Sequence, residues 1–377
     1  MKDHLHRGKQ FLFYVILVCL PVIFFGLIYF ISVIYRAIPI SLMIKSNQRG
    51  WKGVVHKSDT ELGFSPIPNS TGEHTFPIGK NIPMRYDKNG FRIPVNERES
   101  KLDIHPVMLF LGCSYTYGDG VYAEDTWPYI VGRYFNGKIE NAGVCSYGLA
   151  QMLILAKRLV PVNKPDFLIV QYSTWLVDRG INRFAPTYFG KLPTPYFYEI
   201  ANDIKIHPPV FRAYLKTEAI ERYRNSSHAF SDFLSFVMNF ALPMYFHDDV
   251  NMSMYNFKNI FFFPRPIKDR KKLTRYVYEQ MAKVAVENGS KLIIVIINRK
   301  QDDNQVFEEF PPEAMVVDAD KALLGNLAVV DSEHYEREYA IWRGSPPRMV
   351  DGHPNEKAHK IIGDQVVNAI KKSSISR

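Results

Sequence analysis

Ser114 stands in the turn G112-C-S-Y-T-Y-G-D-G120, directly after the apolar run VMLFLG (107–112), and near the far end of the chain the segment D351-G-H353-P-N355 precedes an amphipathic stretch. A serine hydroxyl is a weak nucleophile until a histidine takes its proton, and that imidazole needs a carboxylate to fix its tautomer and stabilise the cation. Asp351 and His353 supply two members of such a set in one loop, and Ser114 supplies the third. Each segment also has a plainer reading. A serine between strand and helix commonly caps the helix, and D-x-H-P-N is equally a surface turn with Asn355 as the cap of the helix that follows.

The elements that must hold these residues follow an α/β rhythm. VMLFLG reads as a buried strand ending in glycine, followed by a polar turn and a helix around Trp127 to Phe135. GKIENAG (137–143) reads as a short strand, GLAQMLILAKRLV (148–160) as a helix and PDFLIVQYS (165–173) as a strongly apolar strand. The run from Leu273 to Glu287 has helical spacing, with Asn288-Gly289 as its stop. KLIIVIIN (291–298) and AVVDS (328–332) are further strands, and EKAHKIIGDQVVNAIKK (356–372) is a closing helix. In an open parallel sheet, ligands bind outside the carboxyl ends of the strands, which is where the turn of Ser114 falls. Residues 51–100 are rich in Pro, Gly, Asn and Ser and predict turns joining short strands. Residues 180–270 break the rhythm with aromatics and prolines and are expected to form an insertion over one sheet edge, a lid or a substrate wall. No internal repeat or low-complexity tract interrupts the chain.

The 377 residues carry a net charge of +9, but residues 1–50 hold six Lys/Arg against one acid, and Lys371 to Arg377 add three more cations. The body of the chain is therefore close to neutral. No nucleic-acid partner is expected, because that would need a basic surface on the folded domain. With 46% hydrophobic residues, disorder is excluded as the dominant state. The three cysteines, Cys19, Cys113 and Cys145, are too few for a disulfide scaffold and lack zinc-site spacings. A single bridge between Cys113 and Cys145 stays open, and neither a metal nor a cofactor is expected. From Gln10 to Tyr35 there is no charged residue, which predicts one transmembrane helix. The apolar run exceeds the roughly 7–15 residues of a signal peptide's hydrophobic region, and no small-x-small cleavage site follows. Basic residues flank both ends; a very short N-terminal tail is simplest to keep in the cytoplasm, with the remainder exported.

Four blocks in order, GCSYTYGDG, N141-A-G-V-C-S-Y-G148, PDFLIVQYSTW and DGHPNEKAH, resemble those of the SGNH (GDSL-like) hydrolase superfamily, and ELGFSPIPNSTG…YDKNGFR (61–92) resembles the lead-in of its membrane-anchored or exported bacterial members. The resemblance covers about residues 60–370. It implies a three-layer, flavodoxin-like α/β domain with a central parallel sheet, preceded here by the one transmembrane helix. It also implies that Ser114 is the nucleophile, His353 the general base and Asp351 its orienter. The oxyanion hole would draw on the second block, Gly143 and Ser146, and on the third, Ser173, Thr174 or Trp175. The sequence departs from the pattern in four places. Cys113 stands where the family's first block has aspartate. Ser146 takes the place of the glycine whose N–H lines the oxyanion hole, a backbone role that survives if the turn does not demand positive φ. The third block lacks the family's asparagine, with Trp175 nearest its place. Asp-x-His is tighter than the commoner Asp-x-x-His.

The organisation expected is a cytoplasmic tail (1–9), a transmembrane helix (10–35), a linker and N-terminal extension (36–100), the hydrolase-like domain (101–372) with its insertion at 180–270, and a tail (373–377). The expected function is a membrane-anchored serine esterase removing acyl, chiefly acetyl, groups from a carbohydrate or envelope substrate. The alternatives are an acyltransferase to a polysaccharide and a non-catalytic glycan-binding envelope protein. Asp178 and Arg179 are expected to be structural or substrate-contacting, Cys113 and Cys145 buried packing residues, and His359 a helix residue. The aromatics from Phe257 to Phe263 are packing or a contact for carbohydrate or membrane, and the sequons at Asn69, Asn225 and Asn251 matter only in a glycosylating host.

Overall fold

A computed structural model describes residues 2–46, 50–96, 104–188, 190–227, 229–261, 263–298 and 304–375. The ends of the two terminal tails, Met1 and residues 376–377, lie outside the described residues. The chain forms two compact units, Met1–Ser46 with Glu218–Met254, and Asn47–Thr217 with Tyr255–Arg377.

The larger unit is built on a parallel sheet of β1 (Val107–Leu111), β2 (Lys138–Asn141), β3 (Phe167–Ser173), β4 (Lys291–Asn298) and β5 (Met315–Asp318), in the order β5-β4-β3-β1-β2. Its helices include the single turn α1 (Ser114–Tyr117), α2 (Trp127–Tyr134), α3 (Leu149–Asn163), α4 (Arg270–Glu287) and α5 (Glu356–Ile375). The central strands β1, β3 and β4 are largely apolar because both faces are covered. In β4, Leu292, Ile294 and Ile296 join α3 and α4 in one core, while Ile293, Val295 and Ile297 join α2 and α5 in the other. That alternation produces three layers. The chain leaves β1 for β2 on one side and returns to β3 on the other, so the switch point of the sheet lies between the carboxyl ends of β1 and β3.

The expected strand at 328–332 is not formed. Val329 and Val330 are half exposed, and Asp331 instead caps the helix Ser332–Tyr339 by accepting from His334 N at 2.7 Å. The fifth strand is Met315–Asp318, whose run of two valines is too short to stand out in the sequence. Residues 50–93 form short antiparallel strands as predicted, including Thr71–Thr75, Ile82–Tyr86 and Arg92–Ile93. Within 180–270, two hairpins (Phe184–Pro193 and Tyr196–His207) belong to the larger unit, and the segment Glu218–Met254, which carries the helix Phe230–Phe236 and most of the helices Thr217–Arg224 and Leu242–Phe261, belongs to the smaller.

The smaller unit contains the helix Lys2–Lys45. Its segment Phe13–Lys45 is long and apolar enough to cross a membrane, and large side chains such as Phe24, Phe25 and Leu27 are exposed. Near its end, Arg36 pairs with Asp249 at 2.7 Å and Lys45 Nζ donates to the Ser226 carbonyl at 2.9 Å, so the polar end of this helix has partners of its own.

Candidate active site

The turn after β1 is wound tightly around Ser114. Thr116 N and Tyr117 N donate to the Cys113 carbonyl at 3.0 and 2.9 Å, and Gly118 N and Asp119 N donate to the Ser114 carbonyl at 2.8 and 3.0 Å. Gly112 is required here, because a Cβ would lie 2.0 Å from Thr116 Oγ1 and 2.7 Å from Gln171 Oε1. Gly118, at φ +82°, ends α1 after one turn. Cys113 occupies the cap position, so Ser114 is the first helical residue and not the cap, and its Oγ contacts Cys113 Sγ at 3.8 Å. From the N-terminal extension, the buried Arg92 stacks on the Tyr117 ring and donates to the carbonyls of Tyr117 (2.5 Å), Gly118 and Val121 (2.6 Å). An arginine fork suits three converging carbonyls, and this one fastens the turn from below.

Asp351 ends the short strand Arg348–Asp351, which pairs with Ile341–Arg343. Its Oδ1 accepts from both His353 N (2.8 Å) and His353 Nδ1 (2.5 Å). The tight Asp-x-His spacing is thus used twice by one oxygen, and a carboxylate on Nδ1 leaves Nε2 as the basic nitrogen. Asn355 braces the loop, donating to the Glu338 and Ala340 carbonyls (2.9 and 3.1 Å) while its Oδ1 accepts from Ala358 N at the start of α5 (3.0 Å). The His353 ring lies edge-on to Tyr115, with centroids 5.6 Å apart, and its Nε2 is 4.0 Å from Asp119 Oδ2. The basic edge of the ring therefore faces the turn that carries Ser114.

The second block folds as a loop after β2. Gly143 N donates to Asn141 Oδ1 (3.1 Å), Asn141 Nδ2 donates to the Thr116 carbonyl (3.1 Å), and a Cβ on Gly143 would lie 2.5 Å from Tyr117 N. Residues 144–147 make a β-turn closed by Tyr147 N to the Val144 carbonyl (3.2 Å), with Ser146 third in the turn at φ +68°. This is the type II position that favours glycine, so the turn does demand positive φ and a serine supplies it. In the third block, the single indole N–H of Trp175 donates to Cys113 Sγ (3.5 Å), and Ser173 Oγ, fully buried, accepts from Gln171 Nε2 (2.8 Å). Thr174 is buried at the start of its helix, and its carbonyl accepts from Arg270 (3.3 Å). Asp178 pairs with Arg270, and Arg179 donates to the Tyr147 carbonyl at 3.2 Å, which gives both residues structural partners.

Five residues here went unread in the sequence. Besides Arg92, the buried Gln171 of β3 accepts from Cys113 N (3.1 Å) and Thr116 Oγ1 (2.8 Å) and donates to Cys113 Sγ (3.3 Å). A glutamine inside FLIVQYS was the visible signal. Burial pushes the Cys113 thiol up, but the Arg179 charge and the donors from Trp175, the Tyr115 backbone and Gln171 bring it below its ordinary value. Asp119 and His74 form a buried pair, Asp119 Oδ1 to His74 Nδ1 at 2.7 Å, and Tyr188 OH donates to Asp119 Oδ2 at 2.8 Å. Cys113 and Cys145 are both free thiols. His359 is fully buried and accepts from Trp127 N at 3.3 Å; burial, with the Arg92 and His353 charges, lowers it to about 3. Among the described residues no three His, Cys, Asp or Glu side chains group as metal ligands.

No family model and no curated protein matches the chain. Solved structures similar to it include a putative lipolytic protein of the G-D-S-L family from Desulfitobacterium hafniense DCB-2, at 12% identity over 70% of this chain and 99% of that one, with a TM-score of 0.33. TesA is similar at 11% identity over 70% of this chain and 98% of that one, with a TM-score of 0.36. A carbohydrate esterase family 2 enzyme with its carbohydrate binding domain, from Corynascus thermopiles (Myceliophthora fergusii), is similar at 11% identity over 85% of this chain and 86% of that one, also with a TM-score of 0.36.

Proposed function

We propose that this protein is a membrane-anchored serine esterase that removes acyl groups, chiefly acetyl, from a carbohydrate of the cell envelope. The observation that carries the reading is the Asp351–His353 pair, closed at 2.5 Å through Nδ1, with the opposite edge of the ring turned to the Ser114 turn at the switch point of the sheet. In this reaction Ser114 Oγ attacks the ester carbonyl carbon while its proton passes to His353 Nε2. The carbonyl oxygen takes the negative charge and is held by backbone N–H groups, those of Ser114 and Ser146. The bond to the sugar oxygen breaks as His353 returns the proton to it. Water then attacks the acyl-enzyme, giving one proton to His353, which restores it to Ser114 as the acid leaves. A cleft of about 970 Å³ beside the loop is lined by exposed Trp342 and Tyr122 and by Lys80, Arg343, Asn355 and Glu356, aromatic and polar surface of the kind a sugar chain contacts. The helix Phe13–Lys45 serves as the anchor in the cell membrane, with the esterase domain on the extracytoplasmic side.

A second reading, a glycan-binding protein without catalysis, has one observation in its favour: Trp175 spends its N–H on Cys113, so this residue brings no donor to an oxyanion. Loss of one such donor costs roughly 10²–10³ in rate. A fluorophosphonate probe applied to the full-length protein in membranes decides between them. Labelling and hydrolysis of an O-acetylated polysaccharide, both lost in Ser114→Ala, are expected. Absence of labelling in the unaltered protein sinks the catalytic reading, and transfer of acetyl to added sugar in place of acetate release turns it into an acyltransferase.

A further inference from the structure

The turn that carries Ser114 also carries a second acid. Asp119 follows Gly118 and precedes Gly120, both at positive φ (+82° and +87°), and its own N–H donates to the Ser114 carbonyl at 3.0 Å. Nucleophile and acid are therefore fixed in one rigid turn. The Asp119 side chain is 1% exposed, which for a lone carboxylate is costly. Both of its oxygens are engaged: His74 Nδ1 lies 2.7 Å from Oδ1 in an ion-pair contact, and Tyr188 OH donates to Oδ2 at 2.8 Å. His74 comes from the N-terminal extension and Tyr188 from the hairpin 184–193, so two segments outside the α/β sandwich converge on one buried carboxylate.

The same carboxylate also stands beside the histidine. Asp119 Oδ2 lies 4.0 Å from His353 Nε2, on the opposite side of the ring from Asp351. At 4.0 Å no hydrogen bond holds Nε2 away from a serine hydroxyl. Yet an opposite charge within ~4–6 Å is close enough to move a pKa by a unit or more.

We propose that Asp119 is a positioning residue for His353: a second carboxylate, held by His74 and Tyr188, that stabilises the imidazolium formed when the Ser114 proton arrives at Nε2. The claim rests on the esterase reading for its use, but the pairing itself is a property of the resting protein. It gives the N-terminal extension a part in the chemistry beyond packing, since His74 sets where the carboxylate stands.

The groups that face His353 are Asp351 from its own loop, Asp119 from the turn after β1, Tyr115 from α1 and His359 from α5, with His74 and Tyr188 behind Asp119. Burial raises the Tyr115 phenol well above its usual range, and burial lowers His359 to about 3, so both are neutral near pH 7. Asp351 and Asp119 are thus the anions that act directly on the ring.

The test is the titration of His353 in the full-length protein, followed by NMR in nanodiscs with labelled histidine and assigned by the signal lost in His353→Gln. Asp119→Asn removes the charge and keeps hydrogen-bonding capacity; the His353 pKa is expected to fall by about one unit, and the acid limb of the kcat/KM profile with it. Tyr188→Phe removes a donor that neutralises part of Oδ2, and is expected to move the same pKa upward. Opposite signs in the two variants support the proposal. A merely structural Asp119 lowers the melting temperature and leaves the pKa within about 0.2 unit, which overturns it. Should Asp119→Asn fail to fold, Tyr188→Phe decides alone, an unmoved pKa counting against. Wild-type protein without esterase activity but with both shifts refutes the esterase reading and leaves the pairing standing; activity without the shifts does the reverse.

Discussion

Replacing Ser146 with glycine should make the protein more stable without harming it. Ser146 is third in the turn 144–147 at φ +68°, a conformation that brings a Cβ against the neighbouring carbonyl at a cost of about 1–2 kcal/mol and that glycine enters freely. The strain cannot relax, because both neighbours are anchored. Cys145 packs among Trp51, Met84, Tyr86 and Tyr117, and Tyr147, fully buried, donates its hydroxyl to the Phe64 carbonyl at 2.6 Å. Glycine gains more unfolded-state entropy than serine, which returns part of the benefit, so a net of about 1 kcal/mol remains. In a domain of this size that corresponds to a rise of about 2–4 °C in the melting temperature. The assay is thermal unfolding of the full-length protein alongside kcat/KM for an acetyl ester. Ser146→Ala is the companion: it keeps the strain, so the melting temperature should stay within about a degree. Both variants retain the backbone N–H and should retain kcat/KM. A lower melting temperature in Ser146→Gly would refute the strain argument. A drop of more than about tenfold in Ser146→Ala would show that the hydroxyl, not the backbone, meets the oxyanion.

Two further predictions concern the supports of the site. Arg92→Met strips the donor from three carbonyls of the Ser114 turn and should cost about 3–5 kcal/mol, read as a lower melting temperature, with slower fluorophosphonate labelling of Ser114 in the fraction that folds. The protein should also lose stability in mild acid. His56, lowered to about 3 by burial, then by His74, and His359, lowered to about 3 by burial, then by Arg92 and His353, are neutral when folded but take a proton near pH 6.5 when unfolded. Because the unfolded chain binds more protons, this stability is complete above pH 6.5 and declines as pH falls toward 3, by about 2 kcal/mol per histidine at pH 5. Denaturant titrations at pH 7 and pH 5 measure it, and His359→Gln should remove about half of the difference.

The sandwich was legible wherever a strand was long and buried on both faces. KLIIVIIN and PDFLIVQYS announce themselves by six and five apolar residues, and α3, α4 and α5 by their spacing. The fifth strand was missed because Met315–Asp318 offers only two valines, whereas the valines of AVVDS lie exposed before an aspartate cap. Ser114, Asp351 and His353 were singled out because local spacing brings Asp351 to His353 and the strand-to-turn pattern puts Ser114 at the carboxyl end of a strand. Asp119 was in plain sight in the same motif, yet its meaning depends on His74 and Tyr188, which are far away in sequence and meet it only in the fold. Arg92 was hidden for the same reason: a charged residue in a turn-rich extension reads as exposed until the carbonyls it serves are placed around it.

The departures from the superfamily's blocks become intelligible as one set of contacts. Cys113 in the first block and Trp175 in the third touch directly, sulfur accepting from indole N–H at 3.5 Å, and Gln171 joins them by donating to the same sulfur at 3.3 Å and to Ser173 Oγ at 2.8 Å. A sulfur is a weak acceptor with a large radius, so it can take two long bonds in a pocket that is closed to water. An asparagine in place of Trp175 would lose the indole's reach to the sulfur and the edge-on packing of Trp175 against Tyr115, whose ring in turn lies against His353. The tryptophan therefore fits the cysteine and steadies the face of the histidine, at the expense of a side-chain donor near the oxyanion. In the proposed esterase reaction, what that donor would have contributed would come from backbone N–H groups, which would place the burden on two constrained turns, the one wound around Ser114 and the one in which Ser146 holds a glycine's conformation.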